Sequence, residues 1–253
     1  MSGVKQSFAW WCYNRSGIPS RDLVQAAVEI GYQGIELVGP EHWPLIKDYG
    51  LTIASMNEGI TIPMGLNRRQ HHAYLEKKIG EAIRLAADWD IPNIIVFSGN
   101  REGLDDREGA EITAEGLLRV ARTAEEAGVT LVLELLNSKV DHKDYQCDHT
   151  AWGVEVCRMV DSPNVKLLYD IYHMQIMEGN LIQNIRESHR YFGHIHTAGV
   201  PGRHEIDNTQ EINYRPVIQT IVETGYTGFI GHEFVPVGDP VAGLKQAFDL
   251  CNI

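Results

Sequence analysis

The chain has 253 residues, 43% hydrophobic and 22% charged, which is enough apolar material for a sizeable core and close to the usual size of an α/β barrel. Its 22 Lys and Arg against 34 Asp and Glu leave a net charge of −12, which argues against a surface built to track nucleic-acid phosphates. The opening MSGVKQSFAWWCYNRSG lacks an apolar signal core, and no later apolar run approaches the roughly 18 residues that cross a bilayer; a cytoplasmic protein with no nucleic-acid or membrane partner is expected.

Short β-rich apolar runs recur along the chain, at 8–12, 34–38, 51–56, 93–98, 129–136, 165–172, 191–197 and 228–235. Helix-like segments lie between them. In 69–89, Leu75, Ile79, Ala82, Ile83 and Ala86 fall at three- and four-residue steps that make one apolar face, and the same pattern returns in 110–127. EIGYQGIEL, EEAGVTLVL and ETGYTGFIG each place a glycine where a helix ends and the next strand begins. Alternating strands and helices with near-continuous apolar strands predict a parallel sheet, and eight units in this length predict a closed (β/α)8 TIM barrel of one domain, 1–253. An open doubly wound sheet is disfavoured because no GxGxxG follows an early strand. Cys12, Cys147, Cys157 and Cys251 show no CxxC spacing, so reduced thiols without a catalytic role are expected, and Cys147 beside His149 lacks an assigned base.

In a parallel barrel the functional face lies at the carboxyl ends of the strands. Four late strands end in polar residues: LVLELLN with Glu134, KLLYDIYH with Asp170 and His173, FGHIHTAG with His194 and His196, and FIGHEF with His232 and Glu233. Charged groups inside apolar strands are costly to bury unless paired or bound to metal. Glu134, Asp170, the HIH pair and Glu233 follow one another at about one strand–helix unit each. Two glutamates, an aspartate and an imidazole form a mostly oxygen donor set that suits Mg²⁺, Mn²⁺ or Co²⁺ with open positions. His194 and His196 point to the same side of a strand, so only depth toward the carboxyl end favours His196. The competing reading keeps the carboxylates as strand residues satisfied by Arg or Lys.

These phrases resemble a known family. LELLN, LYDIYHMQ, GHIHTAGVPGRHEID followed by EINY, and GHEF are similar to the hydroxypyruvate isomerase branch of the xylose-isomerase-like barrels, over essentially the whole chain. The resemblance implies that Glu134, Asp170, His196 and Glu233 are metal ligands, that Glu134 and Glu233 are also the proton-transfer pair, and that His173 contacts a substrate oxygen. That branch carries Gln at the position of His196, whereas its sugar-epimerase relatives carry His. Arg203, soon after strand seven, offers a planar guanidinium that can hold a substrate carboxylate by two parallel hydrogen bonds; a surface pair with Glu205 is its alternative. Asn57 and Glu58 end strand three and either touch substrate or cap a turn, and Trp10 and Trp11 either line the mouth or fill the core.

The chemistry expected of such a site is removal of a proton from the carbon between two oxygens held by a Lewis acid, with one glutamate as base and the other as acid. Return to the neighbouring carbon isomerises; return to the other face of the same carbon epimerises. The expected reaction interconverts hydroxypyruvate and 2-hydroxy-3-oxopropanoate, or a close small 2-oxo acid, with a ketose 3-epimerase as the alternative. Metal-dependent phosphoester hydrolysis needs more ligands and a basic surface, and a binding barrel without turnover is the reading outside enzymology. A small hydroxy-keto acid or sugar is therefore the expected partner, and a homo-oligomer through outer helices is a further expectation.

Overall fold

A computed structural model describes residues 4–14 and 17–253; residues 1–3 and 15–16, part of the opening segment read above for an export signal, lie outside the described residues. Each expected apolar run contains or adjoins a strand, and each strand is shorter than its run: β1 Lys5–Phe8, β2 Gly34–Ile35, β3 Thr52–Ile53 and β4 Ser55–Met56, β5 Asn93–Val96, β6 Thr130–Glu134, β7 Val165–Asp170, β8 Phe192–Thr197 and β9 Phe229–His232. The third run is thus split at Ala54. The first is displaced toward the amino terminus, because Cys12 and Tyr13 donate N–H bonds back to Ala9 O and Trp10 O and turn residues 10–12 into a 3-10 helix.

All strand pairs are parallel, in the order β1-β9-β8-β7-β6-β5-β4 with β2-β3 as a separate pair. Backbone bonds join the two groups on both sides. Gln33 and Glu36 donate to Gln6 O and Phe8 O at 3.1 and 3.0 Å, Trp10 donates to Glu36 O at 2.8 Å, and Leu37 donates to Ser55 O at 3.1 Å. The ring is therefore closed, as a TIM barrel requires. Leu37 takes a left-handed φ of 50°, which breaks the regular ladder just after β2.

The helices clothe the outside: α1 Ser20–Ile30, α2 Trp43–Asp48, α3 Arg69–Asp88, α4 Asp106–Ala127, α5 Thr150–Val160, α6 Ile171–Met177, α7 Leu181–Ser188, α8 Tyr214–Glu223 and α9 Pro240–Cys251. On α3 the buried residues include Leu75, Ile79, Ala82, Ile83 and Ala86, the apolar face expected from the spacing. α4 begins four residues before its expected start, because the Asp105 carboxylate accepts the free N–H groups of Arg107 and Glu108. Gly31 and Gly128 end α1 and α4 with φ of 113° and 68°, a region open to glycine at little cost. All four cysteines are buried and free, and burial pushes the Cys147 thiol far up, away from the thiolate a nucleophile needs. No helix among the described residues is long and apolar enough to cross a membrane.

The polar loop after β5 is tied down on its neighbour. Gln146 N–H donates to Gly99 O at 3.0 Å, and the Arg101 guanidinium places Nη2 and Nη1 2.9 and 3.1 Å from the two oxygens of Asp148. Burial raises the Asp148 carboxyl, but hydrogen bonds from Arg101, Ser138 and His149 outweigh it and hold the group below the usual aspartate range. The stability from this depressed group is present above the ordinary Asp pKa, about 3.9, and is lost as pH falls through the lower folded value. Asp148→Asn is accordingly expected to lower the thermal midpoint at pH 7 by a few degrees and to flatten the acid limb of a midpoint-versus-pH curve; an unchanged acid limb would refute the assignment.

Candidate active site

The carboxyl ends of β6 to β9 bring four of the expected residues together. Glu134 ends β6, Asp170 ends β7, His196 lies in β8, and Glu233 follows β9; each offers a ligand atom, and these atoms all lie within 4.8 Å of one another. Strand register explains part of the convergence, since Asp170 lies beside His196, and His196 beside Gly231. All four side chains are buried. Asp170 also caps α6, accepting the His173 N–H at 3.2 Å, so the strand stops two residues before the expected limit and the new helix aims His173 at the same site.

His196 is the pivot. Its Nδ1 lies 2.9, 3.8 and 4.0 Å from carboxylate oxygens of Glu233, Glu134 and Asp170, yet it makes no well-directed hydrogen bond. A fully buried imidazole nitrogen without a hydrogen bond, facing three carboxylates, is a donor set that fits a hard or borderline divalent cation. On the other edge of the ring, Nε2 lies 3.2 Å from Glu36 Oε2. His194 resolves the ambiguity of the HIH phrase: its Nε2 also faces Glu36, at 2.6 Å, and it takes no part in the four-residue cluster.

The two glutamates differ in electrostatic setting. Burial and the nearby Glu233 charge push Glu134 upward, so it favours the protonated form at neutral pH. Burial also acts to raise Glu233, but the Arg203 and His196 charges outweigh it and hold Glu233 well below the usual carboxylate range. Glu233 Oε1 accepts the Trp11 indole N–H at 2.7 Å, and Oε2 accepts Arg203 Nη2–H at 2.6 Å. Two neighbouring carboxyls with opposed protonation preference are the arrangement that acid–base pairs use.

Arg203 points into the site rather than to the surface. Its guanidinium lies near both the Trp11 and Tyr172 rings, 5.7 and 5.2 Å from their centroids, with Nη2 3.6 Å from Asp170 Oδ2. The alternative partner Glu205 instead accepts the N–H groups of Val237 and Gly238 at 2.9 and 3.0 Å. The Arg203 backbone has a left-handed φ of 57°, clamped by its N–H to Gly199 O and by Val235 N–H to its own carbonyl. Such a conformation costs a non-glycine residue about 1–3 kcal/mol and concentrates at functional sites.

His173 is entirely buried. The Asn137 backbone N–H donates to its Nδ1 at 3.1 Å, with the Asn137 amide nitrogen 2.7 Å from the same atom, while Arg203 Nη1 lies 3.1 Å from Nε2. A neutral imidazole accepts at only one nitrogen, and the backbone donor cannot turn away, so the ring proton belongs on Nε2, facing the site. Burial and the Arg203 charge keep this ring neutral by holding its pKa well below the usual value.

A cavity of about 410 Å³ opens above the cluster. Trp11, Asn57, Glu134, His142, Arg203 and Glu233 form its polar side, and Leu37, Ile62, Ile95, Phe97 and Leu136 its apolar side. Asn57 therefore faces the cavity while Glu58 is exposed, and of the tryptophan pair Trp10 is buried and Trp11 lines the mouth. His142 had no counterpart in the sequence reading, and neither did Glu36. The signal for Glu36 was present: it is a charged residue in the apolar phrase GIELV of the second strand, subject to the same burial argument as the late strands. His232 belongs to the core, its nitrogens 2.7 and 2.9 Å from Thr197 Oγ1 and Gln6 Oε1. A larger groove of about 730 Å³ lies at the opposite end of the strands, near Lys5, Asn93 and Phe229, and touches none of these residues.

A closed parallel barrel with an acid–imidazole cluster and an inward arginine at its carboxyl end is the architecture of a small-molecule TIM-barrel enzyme. The profile described as "Xylose isomerase-like TIM barrel" matches residues 24–252, and the chain belongs to that family. It is 30% identical to the Homo sapiens protein named "Putative hydroxypyruvate isomerase", over 94% of this chain and 91% of that protein. It is 29% identical to a 2-oxo-tetronate isomerase of Pectobacterium atrosepticum, over 91% and 92%. Among solved structures, "AP endonuclease, family 2 from Brucella melitensis" superposes with a TM-score of 0.84 and 26% identity, covering 95% of this chain and 97% of that one.

Proposed function

We propose that this isomerase interconverts hydroxypyruvate and 2-hydroxy-3-oxopropanoate, or a close small 2-oxo acid, with Glu134 and Glu233 as the acid–base pair. The observation that carries the reading is Arg203, a guanidinium held inside the cavity beside the cluster, where a substrate carboxylate can meet it in parallel hydrogen bonds. The apolar wall adds support. Leu37, Ile62, Ile95 and Phe97 offer no hydrogen-bond partner to the extra hydroxyls of a ketohexose, and each hydroxyl left unpaired costs about 1–3 kcal/mol. The names of the two relatives point the same way.

In this reading Glu134, Asp170, His196 and Glu233 hold a divalent ion, Mg²⁺, Mn²⁺ or Co²⁺. The ion supplies Lewis-acid stabilisation of the negative charge that develops on adjacent substrate oxygens. Glu233, which the Arg203 guanidinium favours in its ionised form, removes the proton from C3 of hydroxypyruvate. Glu134, the carboxyl that burial pushes upward, returns one to C2. The hydroxyl proton passes from O3 to O2, and His173 Nε2–H donates to an oxygen along that path. In the reverse direction the glutamates exchange roles.

Proton NMR in D₂O tests the proposal, using protein stripped of metal and then supplied with Mg²⁺, with hydroxypyruvate and ketohexoses as parallel samples. Metal-dependent deuterium uptake with growth of the 2-hydroxy-3-oxopropanoate signals is expected. Exchange confined to the ketoses would overturn the acid assignment in favour of a 3-epimerase.

A further inference from the structure

We infer that Glu36 is the positioning residue that aims His196 at the ion, by accepting a hydrogen bond from its Nε2–H and leaving Nδ1 as the lone-pair donor; this rests on the metal reading above. Glu36 is fully buried just past β2, on the far side of His196 from the four-residue cluster. No Lys or Arg among the described residues forms an ion pair with it. Four donors converge on its carboxylate instead. Ser7 Oγ–H reaches Oε1 at 2.7 Å, and Ser55 Oγ–H, His194 Nε2 and His196 Nε2 reach Oε2 at 2.6, 2.6 and 3.2 Å.

The two hydroxyls come from β1 and β4, on either side of the Glu36 strand, so the carboxylate is gripped by its neighbours and cannot turn. His194 meets His196 edge to face, with ring centroids 4.9 Å apart and planes at 81°, which leaves both Nε2 atoms directed at one oxygen. Glycine at 231 provides the room. A Cβ there would collide with Glu36 Oε1 and fall 3.0 Å from the His196 ring. Several strands are thus shaped around this one carboxylate.

The chemical consequence follows from the single ring proton that an imidazole keeps when its other nitrogen binds a cation. Held on Nε2 by a hydrogen bond to Glu36, it leaves the Nδ1 lone pair facing Glu134, Asp170 and Glu233. Without Glu36, the proton is better placed on Nδ1, where it can donate to Glu233 Oε2 2.9 Å away, and that nitrogen can no longer bind a cation. A carboxylate behind a metal-binding histidine fixes the tautomer and strengthens the donor, and losing it typically lowers metal affinity by about 10- to 100-fold.

The test uses the full chain, stripped of metal and then supplied with Mn²⁺ or Mg²⁺, with Glu36→Gln, which keeps the shape but removes the charge and one acceptor. Mn²⁺ affinity is read from the free-ion EPR signal, and the His196 Nε2–H contact with residue 36 from ¹⁵N chemical shifts of the Mg²⁺-loaded protein. A loss of Mn²⁺ affinity of about tenfold or more, with the Nε2 shift moving away from that of a carboxylate-bonded N–H, is expected. Unchanged affinity and shift overturn the inference while the metal reading stands; wild-type protein that binds no Mn²⁺ overturns both. Should the Gln variant not fold, Glu36→Asp keeps the charge but draws the carboxylate back from His196 Nε2, and the same two readouts decide.

Discussion

Glu134→Gln and Glu233→Gln are each expected to lower kcat by about 10³-fold, within the range that a positioned acid or base contributes, while circular dichroism shows the fold retained. The two should differ in their side effects. Glu134 is a buried carboxyl that its surroundings disfavour in the ionised form, so a neutral amide replaces a carboxyl that already favours its neutral form, and the metal-free variant should melt no lower than the parent. Glu233 accepts from Trp11 and Arg203 and lies 2.9 Å from His196, so its amide disturbs three neighbours and should lower the thermal midpoint. Because the pair acts as a unit, the double variant should be scarcely slower than either single one. Turnover within tenfold of the parent in either single variant, measured with deuterium exchange alongside, would remove that glutamate from the acid–base pair.

Arg203→Met is expected to reduce kcat/KM for the 2-oxo acid by about 10²- to 10³-fold, the loss of two charge-assisted hydrogen bonds at about 1.5–3 kcal/mol each less what water restores. Arg203→Lys should recover only part of this, since an ammonium supplies charge without the planar fork. The decisive comparison is with a neutral ketose, whose kcat/KM should move by less than tenfold in either variant. Equal losses on acid and ketose would mean that Arg203 acts through Glu233, the carboxylate it touches at 2.6 Å, and not on the substrate.

The alternation of apolar strands and amphipathic helices was legible in the sequence because burial on both faces of a parallel sheet forces continuous apolar runs. Acids at the ends of late strands were legible for the converse reason: Glu134, Asp170 and Glu233 interrupt phrases that should be apolar. Strand limits were less so. The run at 8–12 reads as strand, yet it turns after Phe8, and that turn separates buried Trp10 from Trp11 at the mouth.

The sequence by itself determined the barrel and the set of groups able to meet at one end of it, since residue type and spacing are enough to say which strands are buried and where charge intrudes. Only the tertiary structure decided which histidine of HIH faces the acids, that Arg203 turns inward and not to Glu205, and that Glu36 stands behind His196. His194 and His196 share one side of a strand, and Glu36 lies 158 residues from one and 160 from the other. Contacts across that separation depend on barrel closure and on depth along the strand, which local periodicity does not encode.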